Sequence, residues 1–143
     1  MNTETQIKLK FHSVDFPIVN FQSKTHTVEN QEITIDIEPK VFIPKDFPDY
    51  FKIIQEVHIF AEEVFDLFIV AIGTFELKNI EDEKLRHNFI TINAPAIMFP
   101  YIRSFVSTLT SNLGNVIGTL NIPPQLFKGE LDIISENDTK YKL

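Results

Sequence analysis

Asn93-Ala94-Pro95-Ala96-Ile97-Met98-Phe99-Pro100-Tyr101-Ile102-Arg103-Ser104-Phe105 is where this sequence changes its period. From Ala94 to Leu113 the apolar residues recur four apart, at Ile97, Tyr101, Phe105, Leu109 and Leu113, with Met98, Ile102 and Val106 beside them. That spacing makes one apolar stripe along a helix. Asn93 stands where a cap belongs, Pro95 falls in a first turn that tolerates proline, and Gly114 follows the last apolar residue. Pro100 is awkward, because an interior proline removes a ladder hydrogen bond. The reading is a regular helix that starts near Pro100, or a first turn bent there.

Everything before that stretch reads as strand. Ile7, Leu9 and Phe11 alternate with Lys8, Lys10 and His12, the period of a half-buried strand. The phase slips around Ser13 to Asp15 and resumes at Phe16, Ile18 and Phe21, as a bulge allows. Residues 22–31 are polar and read as loop. Ile33, Ile35 and Ile37 then alternate with Thr34, Asp36 and Glu38, the cleanest strand signal in the chain. Pro39, Pro44 and Pro48 confine the next stretch to edge or loop roles. Tyr50 to Phe60 is a third strand, Glu62-Glu63 a turn, and Val64 to Leu77 a fourth strand, apolar on both faces, with Gly73 as a bulge or bend. Four strands in a row favour a meander-like sheet over βαβ units. Glu81 to His87 reads as a charged loop. After the helix, Asn115 to Asn121 is irregular, Pro123 to Phe127 allows one short helical turn, Leu131 to Ile134 a short strand, and Ser135 to Leu143 a frayed tail. The class is α+β, in a single domain spanning 1–143.

Composition narrows the function. The 143 residues are 43% hydrophobic, with 14 Phe and no Trp, which suits a packed core. A net charge of −7 repels phosphate backbones, so nucleic acid is not an expected partner. Without Cys there is no disulfide, thiolate nucleophile or Cys-based zinc site. Met1 to Lys10 lacks the apolar core of a signal peptide, and the apolar run Val64 to Ile72 is too short to span a bilayer. A cytoplasmic protein without membrane insertion is expected. His12, His26, His58 and His87 are scattered, with no metal-ligand spacing. Ser107, Thr108, Thr110 and Ser111 lack a nucleophile elbow, and Gly114 and Gly118 lack the strand–glycine–helix setting of a phosphate loop. Asp15, Asp36, Glu38, Glu56 and Asp66 mostly alternate with apolar residues, as solvent-facing strand positions do. No enzyme, metal or cofactor is expected. What remains is surplus apolar surface: one amphipathic helix cannot cover a four-stranded sheet whose last strand is apolar on both faces. Other subunits or bound ligands must cover the rest.

The segment Asn93 to Arg103, with its Phe99-Pro100-Tyr101-x-Arg103 core, resembles the helix-opening segment of SecB-type chaperones. Leu120-Asn121-Ile122-Pro123-Pro124-Gln125-Leu126-Phe127 is similar to that family's Leu-Asn-Leu-x-Pro run, which leads to a Leu-Phe pair. The resemblance covers 7–127. It implies four strands with a crossover loop between the first two, then the long helix and a short C-terminal helical turn. It implies a homotetramer, with helices sandwiched between sheets, in which Phe99, Tyr101, Phe105 and Leu109 serve helix and subunit packing. It also implies an ATP-independent holdase for unfolded or precursor polypeptides, with no cofactor. By this resemblance Phe21, Val28, Ile33, Ile35, Ile37, Leu126 and Phe127 bind client. Two departures stand out. Lys128-Gly129 interrupts what is a substantial second helix in the family. Of the acidic positions that dock the SecA motor, Asp15 matches, whereas Val19 and Ile69 do not, so weak coupling to SecA is expected. The alternatives are a SecB-like chaperone dedicated to one partner, such as an antitoxin, and a non-chaperone α+β ligand-binding or assembly protein.

Overall fold

The structure is a computed structural model that describes residues 8–24, 32–78, 80–115, 117–123, 132–134, 141 and 143. Five strands form one sheet: β1 (Lys8–Ser23), β2 (Thr34–Phe42), β3 (Tyr50–Ala61), β4 (Phe65–Lys78) and β5 (Asp132–Ile134). Their spatial order is β1-β4-β3-β2-β5. The first four are antiparallel, and the connection from β1 to β2 crosses the whole four-stranded unit. β5 adds itself parallel to β2, opposite Lys40–Phe42. The slip expected near Ser13 is present as register shifts between Phe11 and Ser13 and between Asp15 and Ile18. β2 runs on through Pro39 to Phe42, farther than its alternating isoleucines imply.

Residues directly opposite one another in antiparallel strands share a face. Phe21, Leu67, Ile59 and Ile35 therefore form one row across the sheet, and Val19, Ile69, Val57 and Ile37 the next. This face carries the main core, including Phe51, Ile53, Leu67, Ile69 and Phe75, all fully buried. The opposite face has a smaller core of Phe42, Ile54, Val70 and Ile72. Apolar residues on both faces of β4 are thus explained by two cores.

The helical region lies over the main core. It starts earlier than the sequence reading allows. Glu81 to His87 is not a loop: α1 (Glu83–Asn88) begins there, with the Asp82 carboxylate accepting from Lys84 N–H at 2.9 Å and Leu85 N–H at 3.3 Å. Charged residues solvate a helix face as readily as a loop, so polarity alone misled. Asn93 is not a cap either; it has helical backbone angles and makes no side-chain cap bond. A wider π turn, Phe89–Asn93, joins α1 to α2 (Ala94–Ser111) without a break. That turn precedes Pro95, which cannot donate to the ladder, and shifts the hydrogen-bond frame there. α2 ends at Asn112, before Gly114 with its φ of 101°. By length and composition Glu83–Ser111 would suffice to cross a membrane. Here Met98, Ile102 and Val106 are fully buried against the sheet, as in a core helix.

Gly73 is neither bulge nor bend, since it pairs in register with Ile53. A Cβ on it would lie 2.8 Å from the Met98 sulfur and 3.0 Å from the Phe75 ring. The Met98 side chain of the helix fills the space that a Cβ would take.

Candidate functional site

Ile35 and Ile37 of β2, with Ile33 just before it, stand at one border of the main-core face. Ile33 is 41% exposed, while Ile35 and Ile37 are half-buried against the core. Between them Thr34, Asp36 and Glu38 face the other side, exposed. Phe21 shares a row with Ile35 but sits on β1, three strand spacings and thus about 14 Å away. Its ring packs 6.3 Å from that of Phe65. Val28, Leu126 and Phe127 lie outside the described residues, as does the short helical turn.

The packing residues of α2 divide. Phe99 is buried, Phe105 stacks on Phe16 at 4.0 Å and 13°, and Leu109 packs against the main core. Tyr101 touches Phe11 at 4.9 Å yet remains 49% exposed. The inward stripe is Met98, Ile102, Val106 and Thr110, one position along from the stripe expected. Ile92, Ile97 and Tyr101 are left as an exposed apolar flank.

Phe-Pro-Tyr-x-Arg and the downstream Leu-Asn run belong together physically. Arg103 Nε donates to the Ile122 carbonyl at 2.7 Å, and Ser107 Oγ donates to Asn121 Oδ1 at 3.5 Å. Leu120 N–H donates to Thr110 Oγ1 at 2.9 Å, whose own hydroxyl donates to the Val106 carbonyl at 2.7 Å. These bonds latch residues 120–122 to the helix, with Ile122 buried between.

On the opposite face the end of the chain is not wholly frayed. Ile134, Tyr141 and Leu143 pack on the smaller core. Tyr141 O–H donates to Glu56 Oε2 at 2.8 Å, while Lys40 Nζ reaches Glu56 Oε1 at 3.4 Å. Burial, reinforced by the Glu56 bond and charge, pushes the Tyr141 phenol up to about 12. At the far end of β4 the Lys78 ammonium lies 2.6 Å from Glu76 Oε2 and His12 Nε2 lies 3.1 Å from Oε1. The Lys78 bond, aided by His12, holds the Glu76 carboxyl below its ordinary value against the opposing effect of burial, and the same bond raises Lys78. His58 pairs with Asp66 at 3.0 Å between Phe60 and Phe68. Among the described residues no group of three or more His, Cys, Asp or Glu could hold a metal. Ile69, set beside Val19 in the acidic-patch reading, is fully buried under the helical layer and is no surface docking position; Val19 is exposed.

An open four-stranded antiparallel unit with a crossover after β1, one long helix over its main face, and a latched helix exit together make an α+β fold. The family model described as preprotein translocase subunit SecB matches residues 9–124, and the chain belongs to the SecB family. An uncharacterised protein of Methanocaldococcus jannaschii, MJ0357, is 31% identical over 101 residues, covering 67% of this chain; the match spans 60% of that relative's length. Among solved structures, the Mycobacterium tuberculosis SecB-like chaperone Rv1957, in complex with a ChAD peptide from the HigA1 antitoxin, superposes with a TM-score of 0.62. It is 18% identical, with 80% of this chain and 90% of that one covered. That likeness concerns the fold.

Proposed function

We propose that this protein is an ATP-independent holdase, keeping non-native polypeptides from aggregating by covering their apolar segments. The observation that carries the reading is the Ile33, Ile35, Ile37 row, which stands half-open at a sheet border in a chain of the SecB family. A non-native segment laid there withdraws apolar surface from water without a sequence-specific pocket, which suits diverse clients. By the family resemblance, Phe21, Val28, Leu126 and Phe127 also contact client. The protein works in the cytoplasm as a homotetramer, with the Ile92, Ile97 and Tyr101 flank covered by other subunits.

A second reading has its own support. The Rv1957 structure holds an antitoxin peptide, and the SecA-docking charges are poorly represented here, with Val19 uncharged and Ile69 buried. Together these favour a chaperone dedicated to one partner over general export. The deciding experiment is suppression of aggregation of a chemically denatured model client, without nucleotide, by wild type and Ile35→Ser. Wild-type suppression that weakens in an intact Ile35→Ser oligomer supports the holdase. No suppression at several-fold molar excess refutes it.

A further inference from the structure

We propose that the hollow beside the exit of α2 holds a carboxylate of a foreign polypeptide. A partner carrying Glu or Asp among its apolar residues is then held in preference to one without. This deepens the chaperone reading by giving it a chemical class of partner, and it rests on that reading.

The hollow, about 260 Å³, is lined by Pro100, Arg103, Ser104, Ser107 and Asn121. Its four helix residues follow one another at steps of three and four, which sets them on one side of α2. Arg103 is half-buried, and its Nε is spent on the Ile122 carbonyl at 2.7 Å. That bond fixes the plane of the guanidinium and leaves its terminal N–H groups as a rigid fork. Among the described residues those groups have no hydrogen-bond partner, and no carboxylate lies within ion-pair distance of them. Ser104 has no hydrogen-bond partner among the described residues either, and the Ser107–Asn121 bond is long at 3.5 Å. Every polar side chain of the lining can therefore donate, and none is acidic.

Such a lining selects an anion. One cation balances one charge, which matches a carboxylate rather than a doubly charged phosphate, and the fork suits two oxygens held in one plane. The serine hydroxyls and the Asn121 amide are donors for the remaining lone pairs. The carboxylate comes on a larger molecule, because Pro100, Ser104 and Asn121 are exposed and an exposed ion pair contributes about fivefold in affinity or less. A free acid would have nothing else to hold it. Nor does a second copy supply it through helix-to-helix contact. Residues 94–111 and 117–123 contain no Asp or Glu, so a two-fold contact on this side would set Arg103 against a surface without an acid. The occupant is therefore a foreign polypeptide with an acidic residue.

The test uses the full-length protein and two fluorescent peptides of one apolar sequence with amidated ends, one with a central glutamate and the other with glutamine in its place. The glutamate peptide should bind about three- to tenfold tighter. Ser107→Glu sets a carboxylate four residues from Arg103 and fills the hollow from within. It should bring the glutamate peptide down to the affinity of the glutamine peptide and leave the latter unchanged. Ser104→Ala, which removes one donor, should narrow the preference. Acetate and inorganic phosphate, at concentrations where the glutamate peptide saturates, should displace nothing. Equal affinity of the two peptides for wild type overturns the proposal, and so does a preference that survives both substitutions. Displacement by either free anion at those concentrations would make the hollow a small-anion site. A fall in the particle mass of Ser107→Glu in light scattering would make it a subunit contact, and either result overturns the foreign polypeptide. If such failures come with intact suppression of aggregation, the holdase reading stands and only the hollow is wrong. Absence of both peptide binding and suppression sinks the two together.

Discussion

At the scale of single residues, Gly73 and Glu76 each do something their neighbours in sequence do not announce. Gly73 leaves room for Met98, so Gly73→Ala forces the Met98 sulfur aside from a 2.8 Å approach. Overpacking of this kind costs about 1–3 kcal/mol. Urea titration should show that loss, and Met98→Ala in the same chain should restore part of it, since the two changes share one space. Independent, additive losses would mean that the contact is not the cause. Glu76 provides a pH signature. Its folded-state carboxyl is held below the ordinary 4.5 by Lys78 first, so its stabilisation is present above that value and fades as pH falls through the lowered one. Thermal melts between neutral and acid pH should show a shallower acid decline in Glu76→Gln than in wild type. Lys78, raised above 10.5 by the same bond, loses its share as pH rises through that raised value. Gly73 as glycine was visible in the sequence; its reason was not, because Met98 lies on another element.

At the scale of elements, period-two alternation was enough to place β1, β2 and even the β1 slip, while β-branched, aromatic and apolar runs placed β3 and β4. Ile33, Ile35 and Ile37 could be set on one face by their alternation, and their reading as a client surface came from the family resemblance. The start of the helix was not legible, since an Asp82 cap followed by charged residues looks like a loop until the Asp82 bonds are seen. Nor could the sequence show that the inward stripe is Met98–Ile102–Val106, because Pro95, Pro100 and the π turn together reset the helix's facing. The latch between α2 and residues 120–122 yields a prediction at this scale. Arg103→Ala leaves the Ile122 carbonyl without its donor and should cost about 1.5–3 kcal/mol, the range for a hydrogen bond to a charged group. Arg103→Lys should recover little, because a single ammonium does not reproduce the Nε position. Full recovery in thermal melts would show that charge alone matters.

At the scale of the whole molecule, one side of the long helix holds the protomer together and the other leaves apolar side chains exposed. The Ile92, Ile97 and Tyr101 flank remains open in the protomer, which is the physical case for assembly. Light scattering on Ile97→Ser with Tyr101→Ser should report smaller particles than wild type, with the sheet's circular dichroism unchanged. Unchanged mass would move the subunit contact elsewhere. Coupling to SecA belongs to this scale as well. A titration against SecA from the same organism should give weak binding, because an encounter steered by charge needs more than Asp15 at a screened surface. Tight binding that collapses at high salt would restore the export role. The smaller core was beyond reach of sequence reading for a plain reason: its cover, Tyr141 and Leu143, stands some seventy residues from Val70 and Ile72 with no periodic signal.

The parallel seam between β2 and β5 also has a bearing on birth order. Lys40 meets Asp132, a separation of 92 residues, so the nascent chain offers β2 to its surroundings long before β5 exists. At about 5–20 residues per second the ribosome needs roughly 5–20 seconds to make up that difference. Throughout that interval β2 carries an edge unclaimed by β5 along its whole length, Lys40–Phe42 included. The stretch Lys40–Phe42 is therefore paired on both sides only once β5 has been made.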